Sequence, residues 1–470
     1  MPFRPWIRWK SGRAHTTALA EDLERLCADP RVHRLFEWFS RHERDIADFQ
    51  LAITAVPAPP FGEQARAAWL RERLQFLGLT LTTDAAGNLL AARPGLQSAS
   101  PSEAPASEAL PAEAPRSGAP SPASAIAISA HLDTVFPAAT PLDVRREQAR
   151  LLGPGISDNG SGLAALWALA AALHQLGIVT TLPLLFLANV GEEGEGNLRG
   201  IRHIYRASAA LASTAGEPSV GPYPPAPPDI PPSIAMLIAL DGAGSASIIA
   251  QALGSRRFEI VITGPGGHSW SDFGAPNPIV AASLAISELS NIPLPVNPRT
   301  TLNIGSIEGG TSINAIPSRA SVKVDLRSSD PRRLDELEER IRRAVADACA
   351  DTQARSSNSA ARLQHGITVV GERPAGELAP ASPLLAAIQA VDARLGIHSQ
   401  RQRASTDANI PLSLGLEAIS LGAGGSGGGA HTLGEWFDPA GREQGLKRIA
   451  LLILLLAGLP SAAASHTEPG

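Results

Sequence analysis

The apolar residues of this chain fall into two textures. Four runs are almost uninterrupted: Ala125-Ile126-Ala127-Ile128-Ser129-Ala130, Leu182-Pro183-Leu184-Leu185-Phe186-Leu187-Ala188, Ile234-Ala235-Met236-Leu237-Ile238-Ala239-Leu240 and Ala418-Ile419-Ser420-Leu421. Runs this short and this apolar predict strands. Helices are predicted between them at 163–176 and 201–211, and strands alternating with helices make the sheet largely parallel. Upstream, Leu35, Phe36, Phe39, Ile46, Phe49 and Ile53 approximate helical spacing over 31–54. A second helix runs over 61–77 to Gly78, and strands at 79–83 and 88–92 flank a turn at Asp84-Ala85-Ala86-Gly87.

The order changes beyond residue 253. Strand 257–263, helix 278–289, strands 301–307 and 320–327, helix 331–350 and strand 366–370 follow the split-βαβ arrangement. A helix at 382–395 and the strand before a glycine loop then resume the first pattern. The expected fold is therefore α/β, a mostly parallel sheet flanked by helices, with an inserted α+β split-βαβ domain. The boundaries read as 31–252 for the first part of the main domain, 253–372 for the insert and 373–470 for the second part. Residues 94–124 and 217–233 are rich in Pro, Ala, Ser, Glu and Gly, a composition that cannot bury a core, and are expected to be disordered insertions.

Composition narrows the function classes. A chain of 470 residues suits about three domains or two larger ones. Its 44% hydrophobic content supports a core, and a net charge of −5 without a long basic run gives no ground for nucleic acid or an acidic membrane surface. Cys27 and Cys349 are the two cysteines, far apart, which excludes a disulfide framework and a cysteine zinc site. Metal ligands must then be His, Asp and Glu. The N-terminus lacks an apolar signal core, and the greasy stretch 449–459 is about half the ~20 residues a membrane span needs, so it reads as a buried C-terminal helix. No membrane partner and a cytoplasmic location are expected.

The candidate chemistry sits where the apolar runs stop. The first leads into His131-Leu132-Asp133, the second into Glu192-Glu193, the third ends at Asp241, and the fourth opens a glycine loop reaching His431. Asp158 lies in Ser157-Asp158-Asn159-Gly160-Ser161-Gly162, before a helix. Each motif alone is ordinary: a surface His-Asp pair, an Asx turn, two solvated glutamates. Together they gather at the carboxyl ends of strands, where open α/β sheets place their sites. His131 and Asp133, two apart on extended chain, point the same way, so one imidazole nitrogen can bind metal while Asp133 takes the other N–H. Adjacent Glu192 and Glu193 diverge, so one can bind metal while the other faces a substrate water. Five ligands with a spare glutamate describe a two-metal hydrolase.

In these segments, and in Gly264-Pro265-Gly266-Gly267-His268-Ser269 and Asn314-Ala315-Ile316-Pro317, the chain resembles the co-catalytic zinc hydrolases. That group includes peptidase T, acetylornithine deacetylase, succinyl-diaminopimelate desuccinylase, glutamate carboxypeptidase and carnosinase. The resemblance implies two divalent ions, zinc first with cobalt or manganese as alternatives. Asp158 would bridge them, His131 and Asp241 completing one and Glu193 and His431 the other. Glu192 would be the general base of a metal-bridging hydroxide, with Asp133 behind His131. In the inserted domain, a lid and dimerisation domain by resemblance, His268 would polarise the scissile carbonyl and Asn314 and Arg327 would bind substrate, Arg327 through a carboxylate. The resemblance also points to a cis peptide at Asp158-Asn159, and to a homodimer through the lid. Aspartate at 241 tilts the substrate towards short peptides, cleaved as by an aminopeptidase or a di- or tripeptidase. The segment Ser405-Thr406-Asp407-Ala408-Asn409 is expected to line the substrate pocket. Two rival readings remain: a deacylase of N-acyl amino acids, and an inactive binding or assembly homologue.

Overall fold

The computed structural model describes residues 13–96, 124–213, 233–357 and 362–461. The stretches expected as disordered insertions, 94–124 and 217–233, fall outside the described residues except at their edges. The described residues form two compact units, one within Met1–Ala250 and Glu377–Gly470, the other within Gln251–Gly376.

In the first unit the apolar runs become the centre of a nine-stranded sheet. Strands Leu184–Asn189, Ala125–His131, Ile234–Leu240 and Glu417–Leu421 lie side by side in that order, all parallel. Every residue of Ala125–His131 and Leu184–Asn189 is buried, which is why polar residues could not alternate along them. Helix Gly160–Gln175 is buried nearly all round, and helix Arg442–Ala457 likewise, so the greasy C-terminal stretch is core. No helix of the described residues is long and apolar enough to cross a membrane. The sheet continues through antiparallel Leu89–Arg93 and Thr80–Thr83 on one side, and on the other through Ser247–Ala252, which no apolar run announces.

The helix expected over 31–54 is two, Pro30–Arg41 and Glu43–Thr54. The break falls at His42, whose Nδ1 lies 2.8 Å from the Trp38 carbonyl while its ring stacks on Trp38. A small second sheet joins Arg145–Glu147, Arg150–Leu152, Trp436–Asp438 and Ser426–Gly428. Leu151, Ile156 and Phe437 pack there with Ala47 in a separate apolar cluster. This sheet brings the loop after Leu152 beside the loop between Gly428 and Trp436.

The second unit has four antiparallel strands in the order Thr300–Gly309, Arg319–Ser328, Gly254–Thr263, Gln364–Arg373. Alternate residues Phe258, Ile260, Ile262 and Val322, Val324, Leu326 bury one face against helices Pro278–Ser290 and Pro331–Ala354. Both helices begin at a proline preceded by a side-chain cap, Asn277 to Ile279 N–H and Asp330 to Arg332 N–H. A two-stranded ribbon, Gly267–His268 with Ala315–Ile316, stands apart from the main four strands.

Candidate metal centre

The four parallel strands all end at one edge. His131 is the last residue of its strand and pairs in register with Asn189, while Leu421 pairs with Leu240. Asp241 is thus one residue beyond its strand, and Glu192 and Glu193 are three and four beyond theirs. The chain leaves Ala125–His131 in one direction and returns on its other side, so His131 lies at the switch in strand order where such sheets open a crevice.

Around Asp158 the side chains converge. Its Oδ1 lies 3.1 Å from His131 Nε2, and its Oδ2 lies 3.2 Å from His431 Nε2. Glu193 Oε1 is 3.0 Å from the same nitrogen of His431, and Asp241 Oδ1 is 3.8 Å from His131 Nε2. His131, Asp158 and Glu193 each offer a donor atom within 4.8 Å of the others. The Asp158-Asn159 peptide is cis.

Electrostatics follow from this crowding. Burial alone would raise the Asp158 carboxyl, but the two imidazoles override it and hold it well below the usual carboxylate range. Burial disfavours charge on His131, yet Asp158 and Asp241 raise it well above an ordinary imidazole. His431 is pushed up to about 10, chiefly by its bonds to Asp158 and Glu193. The cluster is therefore built to hold positive charge, and imidazole nitrogen with carboxylate oxygen is the donor set of hydrolytic divalent metals. The residues fit such a cation.

Three of the candidate ligand loops are clamped by a polar side chain from a neighbouring loop. Asp133 is buried, and its carboxylate accepts the N–H groups of Glu192 at 2.9 Å and Glu193 at 2.7 Å. This corrects one expectation: His131 Nδ1 meets the Asp133 backbone carbonyl at 3.0 Å, not its carboxylate, which is 3.7 Å away and occupied by the two amides. Asn159 straddles Asp241, donating to the Leu240 carbonyl at 2.9 Å and accepting the Gly242 N–H at 3.3 Å. Glu435 accepts the N–H groups of Gly155, Ser157 and Asp158. Sequence reasoning missed the last two roles. Asn159 had only the look of a turn residue, and Glu435 stands alone between Gly434 and Trp436 with no periodicity to mark it.

The segment 405–409 is largely buried. Thr406, Asp407, Ala408 and Asn409 are buried, and Asn189 Nδ2 donates to Asp407 Oδ2 at 2.8 Å. Burial, together with the charges of Asp241 and Asp133, pushes the Asp407 carboxyl up to about 7.

The second unit holds the other candidates. His268 Nδ1 accepts the N–H groups of Trp270 and Ser271 at 3.2 and 3.4 Å, so the neutral ring presents Nε2–H as a donor. Asn314 is beside it: its carbonyl accepts the Ser269 N–H, and Ser312 donates to its side chain. Arg327 is not brought to them. The ribbon follows the Thr263 and Arg319 end of the sheet, and Arg327 lies eight residues further along its strand, about 27 Å at the usual strand rise. Its Nε donates to Asp325 at 2.8 Å. One small substrate cannot touch His268 and Arg327 of the same chain.

Comparison with known proteins agrees with this architecture. Residues 114–247 match the model described as Peptidase family M28, and residues 252–353 match the Peptidase dimerisation domain. A probable carboxypeptidase of Aspergillus terreus is 32% identical over 247 residues, 49% of this chain and 51% of that protein. One from Aspergillus flavus is 30% identical over 249 residues, 47% and 50% of the two chains. The chain thus spans about half the length of these fungal relatives. Aminopeptidase PepT from Bacillus cereus superposes with a TM-score of 0.62 at 17% identity, covering 88% of this chain and 98% of its own. Human carnosine dipeptidase 1 gives 0.63 at 12% identity, covering 91% and 99%. Likenesses at this identity establish the fold.

Proposed function

We propose that the chain is a member of the zinc peptidase and deacylase superfamily and hydrolyses amide bonds of short peptides with two divalent ions, zinc before cobalt or manganese. The observation that carries this reading is Asp158, whose two oxygens face two different imidazoles. In this reading Asp158 would be shared, with His131 and Asp241 the residues that would hold one ion and Glu193 and His431 the other. Bound there, the ions would lower the pKa of water and polarise the scissile carbonyl.

The chain's own residues supply the rest. Glu192 takes the proton from the attacking water and returns it to the leaving amine. Asp133 grips its backbone N–H, so the base is presented from a fixed turn. His268 donates from Nε2 to the carbonyl oxygen as charge collects there, with Asn314 beside it. We assign residues 253–372 as the lid and dimerisation domain that delivers His268, from this chain or from a second copy. Arg327 is left out of that pocket. The relatives' names favour a peptide cut at its end, and carboxypeptidase relatives favour recognition of a free C-terminal carboxylate. A cytoplasmic setting fits Cys27 and Cys349, both free thiols.

The test is a panel of di- and tripeptides and N-acetyl amino acids, assayed with each metal and with a chelator. Chelator-sensitive peptide cleavage supports the reading. Cleavage of acyl amino acids alone would move the protein to the deacylases. No turnover in a metal-loaded protein would favour a binding homologue.

A further inference from the structure

We propose that Glu435 is the positioning residue that joins two ligand loops of this centre, holding Asp158 and His431 at working separation before any ion arrives. The inference rests on the reading of Asp158 and His431 as ligands. Glu435 is 1% exposed. Its Oε1 accepts the Ser157 and Asp158 N–H groups, both at 2.7 Å, and its Oε2 accepts Gly155 N–H at 2.8 Å. Its backbone carbonyl accepts Gly153 N–H at 3.0 Å, and its own N–H donates to Thr432, the residue after His431. One residue therefore binds four amides of the 153–158 loop while remaining part of the loop that carries His431.

The chemistry of the clamp is specific. Three donors converge on two oxygens, and a carboxylate has only acceptors to offer. A glutamine would turn an N–H₂ towards at least one buried N–H, leaving that donor unmatched. The loop has little room to compensate. Gly155 has φ +79°, and a side chain there would press on Thr134 Cγ2. Asp133 and Asn159 clamp Glu193 and Asp241 in the same manner. Glu435 differs in acting on the ligand that both ions share.

The experiment is metal titration of chelated Glu435→Gln beside wild type, with zinc binding followed by calorimetry and cobalt binding by absorption. Wild type is expected to bind two ions per chain. Glu435→Gln is expected to bind at least one of them about 10- to 100-fold more weakly, the usual effect of losing an outer partner of a ligand. Ile388→Val, a core change on helix Pro383–Leu395, is the control: it lowers the melting temperature and keeps wild-type affinity. Wild-type affinity in Glu435→Gln, or an equal loss in Ile388→Val, overturns the proposal. A wild type that binds no divalent ion overturns instead the reading on which it rests. Should Glu435→Gln not fold, hydrogen exchange in wild type decides. The peptide spanning 153–162 must stay protected after chelation, and rapid exchange there would mean that the metal, not Glu435, orders the loop.

Discussion

His131 and His431 face the same carboxylate from different circumstances. His131 is buried at a strand end with Nδ1 tied to a backbone carbonyl, which directs Nε2 at Asp158. The His431 side chain is 54% exposed, and its backbone is in the left-handed region at φ 65°, a conformation that glycine tolerates and histidine adopts at a cost. Both rings hold their protons more tightly than a free imidazole, so an arriving metal must displace those protons. Apparent metal affinity should therefore climb with pH between about 6 and 9, and calorimetric heats should vary with the buffer's ionisation enthalpy. A pH-independent affinity would contradict the ligand assignment. In chelated protein the sign is opposite: the raised His431 pKa stabilises the fold below 6.5, and that contribution is lost as pH rises towards about 10. Glu192→Gln should retain both ions and lose about 10²- to 10⁴-fold in kcat. Retained turnover would remove Glu192 from the mechanism. His131, Glu192, Glu193 and Asp241 were legible as candidate ligands because they follow apolar runs that stop abruptly, whereas Asp158 sits in a turn and His431 at the end of a glycine loop. Glu435 was not legible, since a buried carboxylate paired with distant amides leaves no local pattern.

At the scale of elements, legibility tracks length and burial. Strands buried along most of their length read as apolar runs, and the four that lead into candidate ligands were visible for that reason. The small sheet was invisible because its strands are three residues long, among them the fully exposed Arg145–Glu147 and the glycine-bearing Ser426–Gly428. Yet that sheet sets the 153–158 loop against the 428–436 loop. The ends of the second unit's strands were equally hidden. Residue order located Arg327 on a strand without revealing that His268 lies off its opposite end. Helix Gly160–Gln175 offers a direct probe. A Cβ at Gly162 would overlap Asn159 Oδ1 and press on the Leu240 carbonyl, the two groups that fix Asp241. Gly162→Ala should therefore cost about 1–3 kcal/mol by denaturant unfolding and weaken metal binding at the same time. A variant with reduced stability and unchanged metal affinity would show that Asn159 does not serve Asp241.

At the scale of the molecule, the two units have separate reasons to be folded. The second encloses its own core between four strands and two helices, which is the condition for independent folding. Residues 251–376 expressed alone should unfold cooperatively, and a non-cooperative transition would mean that this core depends on the rest of the chain. The split-βαβ order was readable because its helices and strands have clean caps and alternation. The first unit holds the candidate metal centre, proposed as a pair of ions sharing Asp158. The most direct test is to add zinc back to chelated protein and record, per chain, the metal content at which peptide hydrolysis reaches its plateau. A centre of two ions sharing Asp158 should reach its plateau at two per chain, with Asp158→Asn unable to hold both. Full hydrolysis with one ion, or undiminished hydrolysis in chelator, would contradict it.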